Sequence, residues 1–166
     1  ISTSGARIGQ LESMSDDFNK DSQLLEVDFD GEVTVTLMNT DEELVSISDE
    51  EFFRLENVAL LGSEIIAFKN ATSLGDGRYR LDTLLRARLD THDHANEHKI
   101  GETFVFLNEN ELENVPISMT DIGNTKVYAS ITIGGGLPED FDGNLFTLTS
   151  ERFKPFGPVM LEMTEG

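Results

Sequence analysis

Apolar and polar side chains alternate with a period of two through much of this chain, and that rhythm constrains the fold more than any other feature. Val33, Val35 and Leu37 share one parity, as do Leu25, Val27 and Phe29, and again Val127, Ala129, Ile131 and Ile133. Such spacing puts the apolar set on one face of a β-strand. The longest run is 78–89, where odd positions carry Tyr79, Leu81, Thr83, Leu85, Ala87 and Leu89 and even positions carry Arg78, Arg80, Asp82, Leu84, Arg86 and Arg88. One face is greasy and the other basic. A strand this long is unusual, so a break near Asp82 and Thr83 is expected. The fold class is all-β: an antiparallel β-sandwich or barrel-like domain with one or two short helices.

The clearest helix is 48–55, where Ser48 can cap and Glu51, three residues later, completes a capping box. Polar or glycine-bearing stretches at 15–22 and 137–144 read as loops. Asp30-Gly31 lies between two alternating runs and predicts a hairpin. A two-residue loop would oppose Phe29 to Glu32 and split the apolar faces. A three-residue loop or bulge pairs Phe29 with Val33, Val27 with Val35 and Leu25 with Leu37, which unites them.

The stretch from Val58 to Leu107 carries an ordered set of motifs. Ala59-Leu60-Leu61-Gly62 is followed by Glu64, Ile65 and Phe68, then Gly77-Arg78-Tyr79-Arg80-Leu81, Leu84-Leu85-Arg86-Ala87-Arg88, His98, Gly101 and Phe104-Val105-Phe106-Leu107. This order resembles a β-rich domain of phage tail-tip hub (baseplate) proteins, among them the hub protein of gene transfer agents. Ala6-Arg7-Ile8-Gly9, Phe18-Asn19 and Pro155-Phe156-Gly157-Pro158-Val159 extend the resemblance toward both ends. Ala87 and Asp90 stand where that family has glycine. If those glycines take positive φ, the local turn here must differ.

The resemblance implies one β-rich domain over 1–154, with 155–166 a linker or the start of a following module. The chain opens on Ile1 and stops at Gly166 without evident structural punctuation, as expected of an excised fragment. The function implied is a structural and interaction module of a phage-like tail tip, in a virion tail assembled from the host cytoplasm. Its partners would be other tail-tip proteins and a fibre or receptor-binding protein, within a possible homotrimer. A carbohydrate- or receptor-binding β domain at a virion or cell surface is the alternative. The absence of tryptophan disfavours it.

With 32 acids against 12 bases, the formal charge of −20 repels phosphate backbones, so nucleic acid is not an expected partner. No apolar run reaches the length of a membrane span, and no membrane insertion is expected. Cysteine is absent, which closes disulfide and thiolate chemistry.

The arginine stripe Arg78, Arg80, Arg86 and Arg88 matches anionic groups, but with so many acids present internal ion pairing is the favoured reading. Asp90, His92, His94 and His98 join it as interaction candidates on a loop. His92, His94 and His98 could also approach a divalent metal. Asp140, Asp142 and Asn144 offer oxygens at calcium-like spacing, as do Asp28, Asp30 and Glu32, though neither set is an EF-hand. No metal or other cofactor is expected. No catalytic motif is found: GxSxG, HExxH and a phosphate-cradling loop are all missing. As loop residues, the three histidines are expected to tolerate joint replacement by alanine.

Overall fold

The computed structural model describes residues 7–19, 26–107, 116, 118–128 and 144–147. Contacts divide the chain into two compact units, Ile1–Asn114 and Val115–Gly166. In the first, six strands form a closed antiparallel barrel: β1 (Ile8–Met14), β2 (Asp28–Leu37), β3 (Val58–Leu61), β4 (Glu64–Gly75), β5 (Arg78–Arg88) and β6 (Thr103–Phe106). Around the barrel they run β1-β2-β5-β4-β3-β6. The all-β, barrel-like expectation holds. In the second unit, β7 (Thr125–Tyr128) pairs with β8 (Asn144–Thr147). Asn144 thus opens a strand, while 129–133, 137–143 and 155–166 lie outside the described residues.

The alternating apolar residues fill the barrel. Leu11, Val33, Val35, Leu61, Ile66, Phe68, Leu81 and Phe104 are buried in one cluster, with Leu37, Tyr79, Leu84 and Phe106. A six-stranded barrel has no open lumen, because inward side chains occupy its axis. Gly9 makes its closure possible: a Cβ there would lie 2.4 Å from the carbonyl oxygen of Thr36 on the neighbouring strand. Gly62, in the two-residue turn between β3 and β4, has φ +58°, and a Cβ would meet the Glu102 carboxylate at 2.6 Å. The two motif glycines are therefore places of close approach.

Helix α1 (Asp49–Phe53) starts where its cap predicts. The Ser48 side chain accepts from Glu51 N–H, and Glu51 accepts in return from Ser48 N–H at 2.8 Å. It is shorter than expected, ending before Leu55 takes φ +61°. Phe52 packs beneath it on Ala67 and Leu85, on the outside of the barrel, joined by Val27 and Ile47. Residues 44–47 run along β4, with Ile47 N–H donating to Lys69 O at 2.9 Å and Ala71 N–H to Ser46 Oγ at 3.0 Å. The remaining short elements are 3-10 turns at His92–His94 and Met119–Asp121. Among the described residues no helix is long and apolar enough to cross a membrane.

The expected hairpin at Asp30-Gly31 does not form. Asp28–Leu37 is a single strand between β1 and β5, and neither Phe29–Val33 nor Phe29–Glu32 is a pair. A bulge replaces the turn: Asp28 faces Leu84 while Glu32 faces Asp82. The Asp28 side chain holds it, since Oδ1 accepts from Asp30 N–H at 3.1 Å and from Gly31 N–H at 2.7 Å. The local aspartate turn won over the hairpin because β5 offered Asp28–Leu37 a partner along its length. Phe29, expected to pair inward, is 75% exposed.

Candidate functional site

The chemistry of the barrel gathers at one end, where β1, β3 and β5 finish and β2, β4 and β6 begin, and its origin is a change of parity within β5. Up to Asp82 the odd residues Tyr79 and Leu81 point inward. Thr83 then takes φ +57°, and beyond it the even residues Leu84 and Arg86 are buried at 0% exposure. Asn70 pins the kink by donating from Nδ2 to Asp82 Oδ1 at 2.6 Å and to Thr83 Oγ1 at 3.1 Å. The break expected near Asp82 and Thr83 is instead a kink, through which the strand continues. Its consequence corrects the two-faced picture of the run. Leu85 turns outward to the cluster under α1, and Arg86 enters the core.

Arg86 is satisfied there on every side. Nε donates to both oxygens of Glu64, at 3.0 and 3.1 Å, and Nη2 donates to Glu64 Oε2 at 2.9 Å. Nη1 donates to the carbonyl of Phe18 at 2.7 Å, and Nη2 also reaches the carbonyl of Ala95. The Phe18 ring lies under the guanidinium, 3.6 Å from its carbon. Glu64, likewise fully buried, accepts in addition from Ala87 N–H at 2.6 Å. The Asp28 carboxylate stands behind them, with Oδ2 buried without a hydrogen-bond partner and 3.9 Å from Arg86 Nη1.

His98 completes the cluster. It is 4% exposed, with Nε2 2.7 Å from Glu64 Oε2 and Nδ1 2.8 Å from Glu102 Oε2. Its backbone is tied to the turn after β1 in both directions: His98 N–H donates to Asn19 Oδ1 at 3.1 Å, and Asn19 Nδ2 donates to His98 O at 3.0 Å. The premise that all three histidines are loop residues with few buried contacts fails for His98, a buried, doubly paired side chain, so its replacement is now expected to be costly. Residues 89–102 are fastened to the barrel by Ala95, by His98, by Thr91, whose Oγ1 accepts from Ile65 N–H at 2.9 Å, and by Gly101 and Glu102, whose backbones bond to Leu11 at 2.8 and 2.9 Å.

Ala87, Leu89 and Asp90 have φ of 54°, 51° and 69°. Ala87 and Asp90 thus take the left-handed backbone that glycine adopts most readily. Such residues carry roughly 1 kcal/mol of strain each. At Ala87 the bond from its N–H to Glu64 opposes that strain.

Burial pushes the Glu64 carboxyl up, but hydrogen bonds from His98, Arg86 and Ala87 outweigh it and hold the group below the ordinary carboxylate range. A carboxylate lowered in the folded state stabilises the fold above its unfolded pKa and loses that contribution as pH falls through its folded value. Urea midpoints should accordingly fall as the solution is acidified below about pH 4. Glu64→Gln should start less stable and show a flatter acid limb; parallel limbs for the two proteins would disprove the assignment.

The other candidates are dispersed. Arg78 pairs with Glu12 at 2.7 and 2.6 Å, and hydrogen bonds from Arg78 and Thr36 hold Glu12 below the usual carboxylate range. Arg80 lies 3.8 Å from Glu32, and Arg88 Nε donates to Arg86 O at 2.8 Å. The basic stripe is thus broken into internal contacts. His92 is exposed between Asp90, at 3.4 Å, and Asp93, at 3.2 Å. His94 lines a cavity of about 190 Å³ together with Gly62, Ser63, Glu97, His98, Lys99 and Glu102. Among the described residues no three His, Cys, Asp or Glu side chains are placed to hold a metal ion. Asp140 and Asp142 lie outside the described residues.

Phe18, Asn19, Glu64 and Glu102 were not singled out as site residues. Phe18, Asn19 and Glu64 did carry a signal, because all three stand in the motifs behind the family resemblance. A family model described as Rcc01698-like, C-terminal, matches residues 6–105, a span that takes in five barrel strands and all of β6 but its last residue. No curated protein and no solved structure matches the chain.

Proposed function

We propose that this chain, which belongs to the Rcc01698-like C-terminal family, is a structural and interaction module of a phage-like tail tip, built to hold its loops rigidly for neighbouring tail proteins. The observation that carries this reading is how the reactive side chains are used. Arg86, Glu64 and His98 all satisfy one another and anchor two loops, leaving the barrel end as a scaffold. The ordered motifs at 58–107 support the tail-tip assignment, and a fibre or receptor-binding protein is the expected partner. Assembly as a homotrimer within the tail would multiply modest contacts into a firm attachment. The chain performs no hydrolysis in this reading.

Exposed aromatic rings favour one alternative. Phe29 and Phe53, at 75% and 65% exposure, give a glycan faces to stack on. That would make the chain a carbohydrate- or receptor-binding domain.

The test co-expresses the full-length protein with the fibre or receptor-binding protein from its own gene cluster. Co-purification is expected, and the loop variant Asp90→Gly/His92→Ala/His94→Ala, which spares Thr91 and His98, is expected to weaken it. Capture unaffected by these three changes would remove the 90–99 loop as the contact. Glycan retention lost on Phe29→Ala/Phe53→Ala would favour the alternative, and turnover of glycans, peptides or esters would overturn the non-enzymatic reading.

A further inference from the structure

We propose that His98, with a proton on each ring nitrogen, is a latch holding residues 95–99 over the end of the barrel, and that this stretch loosens when the ring loses one of those protons. The argument begins with hydrogen-bond logic. A neutral imidazole has one N–H and one lone pair. Both of its nitrogens here face carboxylate oxygens, at 2.7 and 2.8 Å. Ionised carboxylates only accept, so both contacts are hydrogen bonds in the imidazolium alone.

Charge counting agrees. Glu64 from β4, Glu102 from the approach to β6 and Asp28 from β2 bring three carboxylates to the cluster, and Arg86 from β5 brings one guanidinium. A neutral ring leaves an excess of two negative charges in a nearly closed site; the imidazolium halves it. On the solvent side His94, Glu97 and Lys99 share the cavity with His98 and Glu102, and their mixed signs do not remove the excess. Losing the proton turns one short bond into a lone pair pressed on an anion, which is costly where water is excluded.

The mechanical consequence follows from what His98 carries. Its backbone amide and carbonyl clasp Asn19, while buried Ala95 is held through its carbonyl to Arg86, and Gly101 and Glu102 stay bonded to Leu11 of β1. Releasing the ring frees one anchor of the 89–102 segment and loosens the turn at 15–19. The barrel strands keep their ladders. The device is thus local, and opening should leave Phe68 and Val35 protected.

The test uses the whole chain. Ring ¹⁵N shifts are recorded for the three histidines across a pH series, with amide hydrogen exchange measured in parallel, and exposed His92 and His94 serve as internal references. Wherever the segment is protected, both His98 nitrogens should be protonated. Where one of those protons is lost, amides at 95–99 should exchange about tenfold faster or more, while those of Gly101, Val35 and Phe68 hold. Glu102→Gln supplies a carboxamide that can donate to a neutral ring, so in that variant protection of 95–99 should survive His98 deprotonation. A His98 found neutral beside a protected segment would overturn the proposal. So would wild-type protection that persists through the ring's titration, or a Glu102→Gln variant that opens as the wild type does.

Discussion

Arg86→Met should destabilise the barrel by about 3–5 kcal/mol, the range found when one partner of a buried ion pair is removed. The loss comes less from the missing attraction than from what remains. Glu64, at 0% exposure, keeps its charge with only the His98 ring and the Ala87 N–H to hold it, and the carbonyls of Phe18 and Ala95 lose their donor. Since small domains are stable by roughly 5–15 kcal/mol, such a change threatens folding at physiological temperature. Arg86→Met/Glu64→Leu should recover part of the loss, because it removes the orphaned charge. Urea denaturation of the three proteins decides the matter. A double variant no better than the single one would show that the guanidinium acts through its contacts to Phe18 and Ala95 instead.

Phe18→Ala should cost a similar amount, about 3–5 kcal/mol, as for a large aromatic side chain lost from a core. Phe18 belongs to no strand, yet it is fully buried, its ring lies under Arg86, and its centroid is 5.2 Å from that of His98. Truncation would open a void beside a buried charge. Phe29→Ala should change stability by no more than about 0.5 kcal/mol, since that ring is in solvent. Thermal denaturation separates the two, and equal shifts would contradict the placement of Phe18.

The contrast between these phenylalanines shows where the sequence was legible. Ser48 and Glu51 announced their helix because a capping box is complete within four residues. Strand content was legible for the same reason, as alternation is local. Arg86 was not, since its parity predicted an outward side chain until Thr83 reversed it. Positive φ at a threonine leaves no local mark when the residues that enforce it, Asn70 and Asp82, come partly from another strand. The hairpin at Asp30-Gly31 failed likewise: its turn chemistry was real, but the Asp28 side chain spent it on a bulge. Glu64, Arg86 and His98 were in view as matched motif letters. What one chain could not reveal is that they touch, because their separations in sequence are spanned only after the barrel closes.

The closure of that barrel bears on how the domain can meet other proteins. Open sheets offer unpaired backbone at their margins, and foreign strands readily add there, in recognition and in aggregation alike. Here β6 bonds to both β1 and β3, so the barrel leaves no marginal strand, and where β4 runs on past β3 the segment at 44–47 lies against it. A neighbour docking on the barrel wall must therefore read side chains rather than extend the ladder. Were such barrels crowded together, closure would confine contact on their walls to surfaces whose identity the sequence controls, and would guard one barrel against fusing with the next.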